Sequence, residues 1–147
     1  MYKFLRISIL VVMVSTFVFA TSESEVKNLV NEATQYCKDV GQEKCFKVFS
    51  DKNGKFTKGS LYVFAIGYDG ITVAHGGNAK LVGKNLIKVK DPAGNMLIQE
   101  LIAIAKSKGE GWFDYRWSHP ITKKVEPKRS FVRAIKNDIF IGSGYYK

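Results

Sequence analysis

The chain has 147 residues, 46% hydrophobic and 13% aromatic, which suits one packed domain and excludes a disordered chain. Its 23 Lys and Arg against 13 Asp and Glu give a formal charge of +10. Two Cys and two His are a poor zinc set, and no metal or cofactor motif is present.

Residues 1–20 read as a secretory leader. Lys3 and Arg6 precede an apolar run, Ile7–Phe19, and Val18 and Ala20 are small residues at −3 and −1 of a cut after Ala20. The alternative is a retained N-terminal anchor, although the run is short for a span of roughly 20 residues. Export implies a periplasmic or secreted domain over 21–147 and argues against nucleic acid as a partner. Without the leader the charge is +8, all of it in residues 80–147, with fourteen basic and six acidic residues. Such a half attracts anions such as small carboxylates or anionic lipid, or is simply a solvated surface.

Ser24–Asp39 has helical spacing in Val26, Leu29, Val30, Ala33 and Tyr36–Cys37, with Ser22 or Ser24 as cap. Gln42–Phe49 is a second helix. A disulfide between Cys37 and Cys45 needs a break between the helices, because eight residues of continuous helix span about 12 Å. Gly41 could supply that break, and the spacing leaves the bridge open. Asp51–Gly59 reads as a loop.

Leu61–Ile66 is a strand apolar on both faces, with Leu61, Val63 and Ala65 on one and Tyr62, Phe64 and Ile66 on the other. Asp69-Gly70 turns into a strand ending at His75. A loop runs from Gly76 to about Lys90, and Asp91-Pro92 predicts a helix start, with the helix continuing to about Lys108. Strands follow over Gly111–Trp117, Lys128–Lys136 and Ile139–Tyr146, with Pro120–Pro127 joining the first two and Asn137-Asp138 turning between the last two. The fold class is α+β: an antiparallel sheet of about five strands with a helix packed on one face.

Alternation sets Phe113, Tyr115 and Trp117 on one strand face and Trp112, Asp114 and Arg116 on the other. The first set reads as core for Phe113. For Tyr115 and Trp117, core and pocket wall are equally good readings. His75 alone reads as a structural histidine, and Lys128 as a solvated lysine at a strand mouth that could hold a carboxylate. Serine-hydrolase, P-loop and zinc-protease motifs are missing, so no catalytic residue is assigned and an enzyme is not expected. An enzyme using His75 and Asp114 would need the two within hydrogen-bond reach.

Several blocks together resemble the single Cache domain (sCache type 2): Gly59–Ile66, Asp69-Gly70, Val73-Ala74-His75, Leu81–Leu86 and Lys90–Gly94. Further blocks are Gly109–Trp112 through Tyr115-Arg116-Trp117, then Pro120, Val125–Ser130 and Gly142–Tyr146. They occur in the family's order over nearly all of 25–147. The resemblance implies a PAS-like antiparallel sheet with a long N-terminal helix and an extracytoplasmic sensor of small molecules. Short carboxylates such as acetate, propionate, pyruvate or lactate are the implied ligands. By position, the implied pocket is Tyr62, Phe64, His75, Tyr115, Trp117 and Lys128. Tyr115 and Lys128 would hold a carboxylate, His75 would add a hydrogen bond, and the rings would cover the alkyl part.

Gly76 stands where the family usually has Pro after the histidine, which predicts a freer loop over the pocket. The chain ends after its last strand, so the expectation is a domain that binds a small organic anion without its own signalling module. Such a domain would report to a membrane receptor or transporter, or pair as a homodimer through the N-terminal helix. The alternative is an envelope protein-interaction module with no small-molecule ligand.

Overall fold

Ser22 starts the first helix, α1 (Glu23–Val40), through a reciprocal cap. Its hydroxyl accepts from the Glu25 amide (3.3 Å), and the Glu25 carboxylate accepts from the Ser22 amide (2.9 Å). This computed structural model describes residues 21–147, so the leader expected over 1–20 lies outside the described residues. Gly41, at φ +83°, ends α1 and turns the chain into α2 (Gln42–Phe49). The corner brings the Cα atoms of Cys37 and Cys45 to 5.1 Å, and the structure joins the two sulfurs.

The sheet has six strands, all paired antiparallel: β1 (Thr57–Lys58), β2 (Leu61–Gly67), β3 (Thr72–His75), β4 (Glu110–Ser118), β5 (Val125–Ile135) and β6 (Ile139–Tyr146). Their order is β1-β2-β6-β5-β4, with β3 also on β2. The sixth strand, β1, is two residues within the segment expected as loop. Asn137 and Asp138, at φ +63° and +52°, make the tight turn between β5 and β6. Pro127, expected in a connector, lies in β5, where its carbonyl accepts from the Lys147 amide at 3.0 Å.

Helices cover both sheet faces rather than one, as the two-sided apolar character of β2 requires. Every β2 residue is buried. Leu61, Val63 and Ala65 join Val26, Leu29, Val30, Ala33 and Phe49 under α1 and α2. Tyr62, Phe64 and Ile66 join Leu97, Ile98, Leu101 and Ala105 of α3 (Leu97–Lys108) on the other face. The apolar stripe of α1 is thus consumed by its own sheet.

The helix start expected at Asp91-Pro92 is displaced to Leu97. Asp91 caps a turn instead: its carboxylate accepts from the Asn95 amide (2.9 Å) and from Asn95 Nδ2 (3.0 Å). Gly94, at φ +87°, takes the chain out of helical conformation there.

Candidate ligand-binding site

The α3 face of the sheet carries a row of directly opposed residues: Tyr115 on β4, Lys128 on β5 and Tyr146 on β6. One row along, Phe113, Ser130, Gly144 and Tyr62 share the same face, and beyond them Phe64 pairs with His75. Two glycines make the rows compact. A Cβ on Gly144 would lie 2.1 Å from Ser130 Oγ, and one on Gly142 would lie 2.5 Å from the Phe64 ring.

Lys128 is not the solvated lysine its sequence position suggests. It lies inside β5, 1% exposed. Its Nζ donates to Tyr62 Oη at 2.8 Å. It also sits over the rings of Tyr62 (4.1 Å), Tyr146 (5.2 Å) and Phe64 (5.3 Å). No carboxylate pairs with it among the described residues. A buried ammonium with no counter-ion is costly, and desolvation pushes the pKa of Lys128 down to about 7.

The phenols around it are oriented. Tyr146 Oη donates to the Ser118 carbonyl (2.8 Å), and the Tyr62 and Tyr146 hydroxyls lie 3.3 Å apart. Since Tyr62 accepts from Lys128, its own proton points to Tyr146 Oη. Tyr115 Oη and Ser130 Oγ are 3.0 Å apart. Burial raises the pKa of Tyr62 and Tyr115 and pushes Tyr146 up to about 12, so all three stay protonated donors.

His75 is buried and held neutral. Burial, followed by the nearby Lys128 charge, takes its pKa down to about 3. Its Nδ1 accepts from the Asn78 amide (2.9 Å), which leaves the proton on Nε2. The ring lies against Tyr62, Phe64 and Trp117, with centroids 4.9, 6.1 and 6.5 Å away.

His75, Tyr115, Trp117 and Lys128 line one cavity with Phe64, and Tyr62 reaches the cavity through its bond to Lys128. The structure therefore brings all six residues together. The apolar cover is what the sequence did not reveal: Ile66 from the sheet, Leu86 from the 76–96 segment, and Leu97, Ile98 and Leu101 from α3. Ser130 and Tyr146 were also missed as partners, although alternation along β5 and β6 puts them on this face. The space between these residues is small, about 10 Å³, or room for about one water.

Two expectations are corrected. The loop after His75 is not freer for having glycine. Gly76 N–H donates to the Val63 carbonyl (2.9 Å), and a Cβ there would lie 2.6 Å from Thr57 Oγ1 and 2.9 Å from the Phe49 carbonyl. Glycine is what lets the chain pass this close. Asp114, weighed as a partner for His75, is outside the cavity and bonded instead to Arg129 and Lys147 (2.5 and 2.6 Å). Among the described residues no cluster of His, Cys, Asp and Glu is arranged for a metal ion. No helix among them is long and apolar enough to cross a membrane.

The family model described as Single Cache domain 2 matches residues 20–147. The sensor histidine kinase MctS of Rhizobium johnstonii is 33% identical over 86% of this chain, which spans 29% of that kinase's length. A methyl-accepting chemotaxis protein from Vibrio parahaemolyticus has a solved structure that superposes with a TM-score of 0.71. It is 26% identical and covers 84% of this chain and 86% of that one. A Cache chemosensory domain solved to explain carboxylic acid recognition superposes with the same TM-score, 0.71. It is 25% identical over 84% of this chain and 91% of that one.

Proposed function

The chain belongs to the single Cache domain 2 family, and from that premise we propose that it binds a short-chain carboxylate outside the cytoplasm, with Lys128 as the anion's partner. The observation that carries this is the buried Lys128 ammonium without a counter-ion. An incoming carboxylate supplies the missing charge and forms charge-assisted hydrogen bonds. Tyr115 Oη and the Nε2–H of His75 are the further donors, and Phe64, Ile66, Leu97 and Leu101 cover the alkyl part. The carboxylic acid recognition named for the similar Cache domain supports the same class of ligand.

The space available bears on the mechanism. A cavity for about one water holds no carboxylate, so binding must move the cover formed by Leu86, Leu97, Ile98 and Leu101 outward. The sheet supplies the polar groups, while α3 and the 76–96 segment supply the moving wall. That makes ligand occupancy a displacement of one layer against another, which a membrane receptor or transporter partner could read.

The small cavity is also what favours the second reading, a protein-interaction module of the envelope without a small-molecule ligand. A vestigial pocket would gain from replacing Lys128 by an apolar residue, which weighs against that reading. Thermal unfolding against acetate, propionate, pyruvate and lactate separates the two. A ligand at 100 times its dissociation constant adds about 2.7 kcal/mol. No shift with any of the four at millimolar concentration, in folded protein, sinks the carboxylate proposal.

A further inference from the structure

A second chamber lies on the other side of His75 and Trp117, which line both compartments, and Tyr62 lines the outer one. It measures about 180 Å³, against about 10 Å³ inside, and its own polar residues include Asn78, His119 and Lys123. No carboxylate lines either compartment. The walls are built, not incidental. Gly77 lets the loop lie on the Tyr62 ring, where a Cβ would come within 2.6 Å of the ring. Asn78 is fixed by its backbone N–H, which donates to His75 Nδ1, and its Oδ1 accepts from the Lys80 amide (3.2 Å), which leaves its Nδ2 donors uncommitted among the described residues.

The opposite wall is the β4–β5 hairpin. His119 N–H donates to the Lys124 carbonyl (2.8 Å), and Lys123 N–H donates to the His119 carbonyl (3.0 Å). His119 Nδ1 accepts from the amides of Ile121 and Thr122 (3.1 and 3.2 Å). Within this turn Lys123 is held at φ +63°, a conformation that side-chain-bearing residues rarely adopt. Lys123 has no ion pair among the described residues. The nearby carboxylate, Glu126, accepts from Thr122 Oγ1 (2.7 Å) and lies 3.9 Å from His119 Nε2.

We infer that the outer chamber is a second anion subsite and that the domain's ligand class is a short dicarboxylate, one carboxylate at Lys128 and the other at Lys123 and Asn78. This rests on the carboxylate reading of Lys128 and narrows it. The two cations lie in adjoining compartments that share His75 and Trp117 as a wall. A ligand with one charged end reaches only one of them.

Titration calorimetry of the protein with propionate and with succinate tests this. Succinate is expected to bind about tenfold tighter, the value of one more charge-assisted hydrogen bond. Lys123→Ala should remove that advantage and leave propionate unchanged. Asn78→Ala should remove part of it. Lys124→Ala deletes the same charge from the neighbouring residue, which does not line the chamber, and should change neither ligand. Lys128→Met should weaken both. Succinate no tighter than propionate, or equal losses for both ligands in Lys123→Ala, overturns the second subsite while the first stands. Binding of neither overturns both.

Discussion

Ligand binding at Lys128 should take up a proton, and the affinity should report it. In the free domain Lys128 titrates at about 7, because burial disfavours its charged form. A carboxylate against Nζ favours the charged form and raises that pKa. At pH 8 about nine-tenths of the free protein carries a neutral Lys128. Binding must first charge it, at a cost of about 1.4 kcal/mol at pH 8 and about 2.7 at pH 9. The dissociation constant should therefore be flat below about pH 6 and rise about tenfold per unit above 7. The groups facing Nζ do not confuse the assignment. His75 on β3 titrates near 3, the phenols of Tyr62 on β2, Tyr115 on β4 and Tyr146 on β6 stay protonated to high pH, and no acid lines the cavity. Calorimetry at pH 6, 7, 8 and 9, in two buffers of different ionisation enthalpy, measures both quantities. Close to one proton taken up per ligand at pH 8 is expected. A dissociation constant unchanged from pH 6 to 9, with no buffer dependence, would falsify the claim that the anion meets Lys128.

The same buried charge bears on stability without ligand. Its folded pKa lies below the unfolded value of 10.5, so the unfolded chain binds more protons between about 7 and 10.5. This group's contribution to stability therefore rises with pH across that window, and at pH 6 Lys128→Met should melt several degrees higher than the parent by calorimetry. Tyr115→Phe removes the hydroxyl beside Ser130 and one ligand donor, and should weaken propionate about tenfold by titration. Gly76→Pro introduces the residue that the Cache resemblance leads one to expect after the histidine. Here it loses the bond to Val63 and has no room, so it should cost about 3 kcal/mol or more by urea unfolding. Replacing both Cys37 and Cys45 by Ser opens a loop of eight residues and should cost about 2.5 kcal/mol in the same assay.

How much of this was legible in the sequence divides by range. Local periodicity located α1, α2 and the face assignments of β2 and β4, because burial on both sides of β2 and alternation along β4 are properties of a few neighbouring residues. Asp91-Pro92 misled because the same two residues open a helix or a capped turn. The outcome was decided by Gly94 and Asn95, which close the turn on the Asp91 side chain. The disulfide was open because its geometry hangs on one backbone angle at Gly41.

Lys128 is the sharper case. Next to Arg129, in a half of the chain rich in cations, composition made it a surface residue. Only the cross-strand register puts it between Tyr115 and Tyr146, and α3, a helix about twenty residues upstream, together with Leu86 covers the cavity it lines. Arg129, one residue on, points to the other face and pairs with Glu23 and Asp114. Two adjacent cations thus have opposite fates, one neutralised at the surface and one buried without a partner. A charge that folding leaves uncompensated is stable only if something outside the chain completes it, or if it gives up its proton. On the proposed reading the two routes compete at Lys128, and that competition is why the domain's affinity should depend on pH although His75, the other cavity-lining base among the described residues, stays neutral throughout.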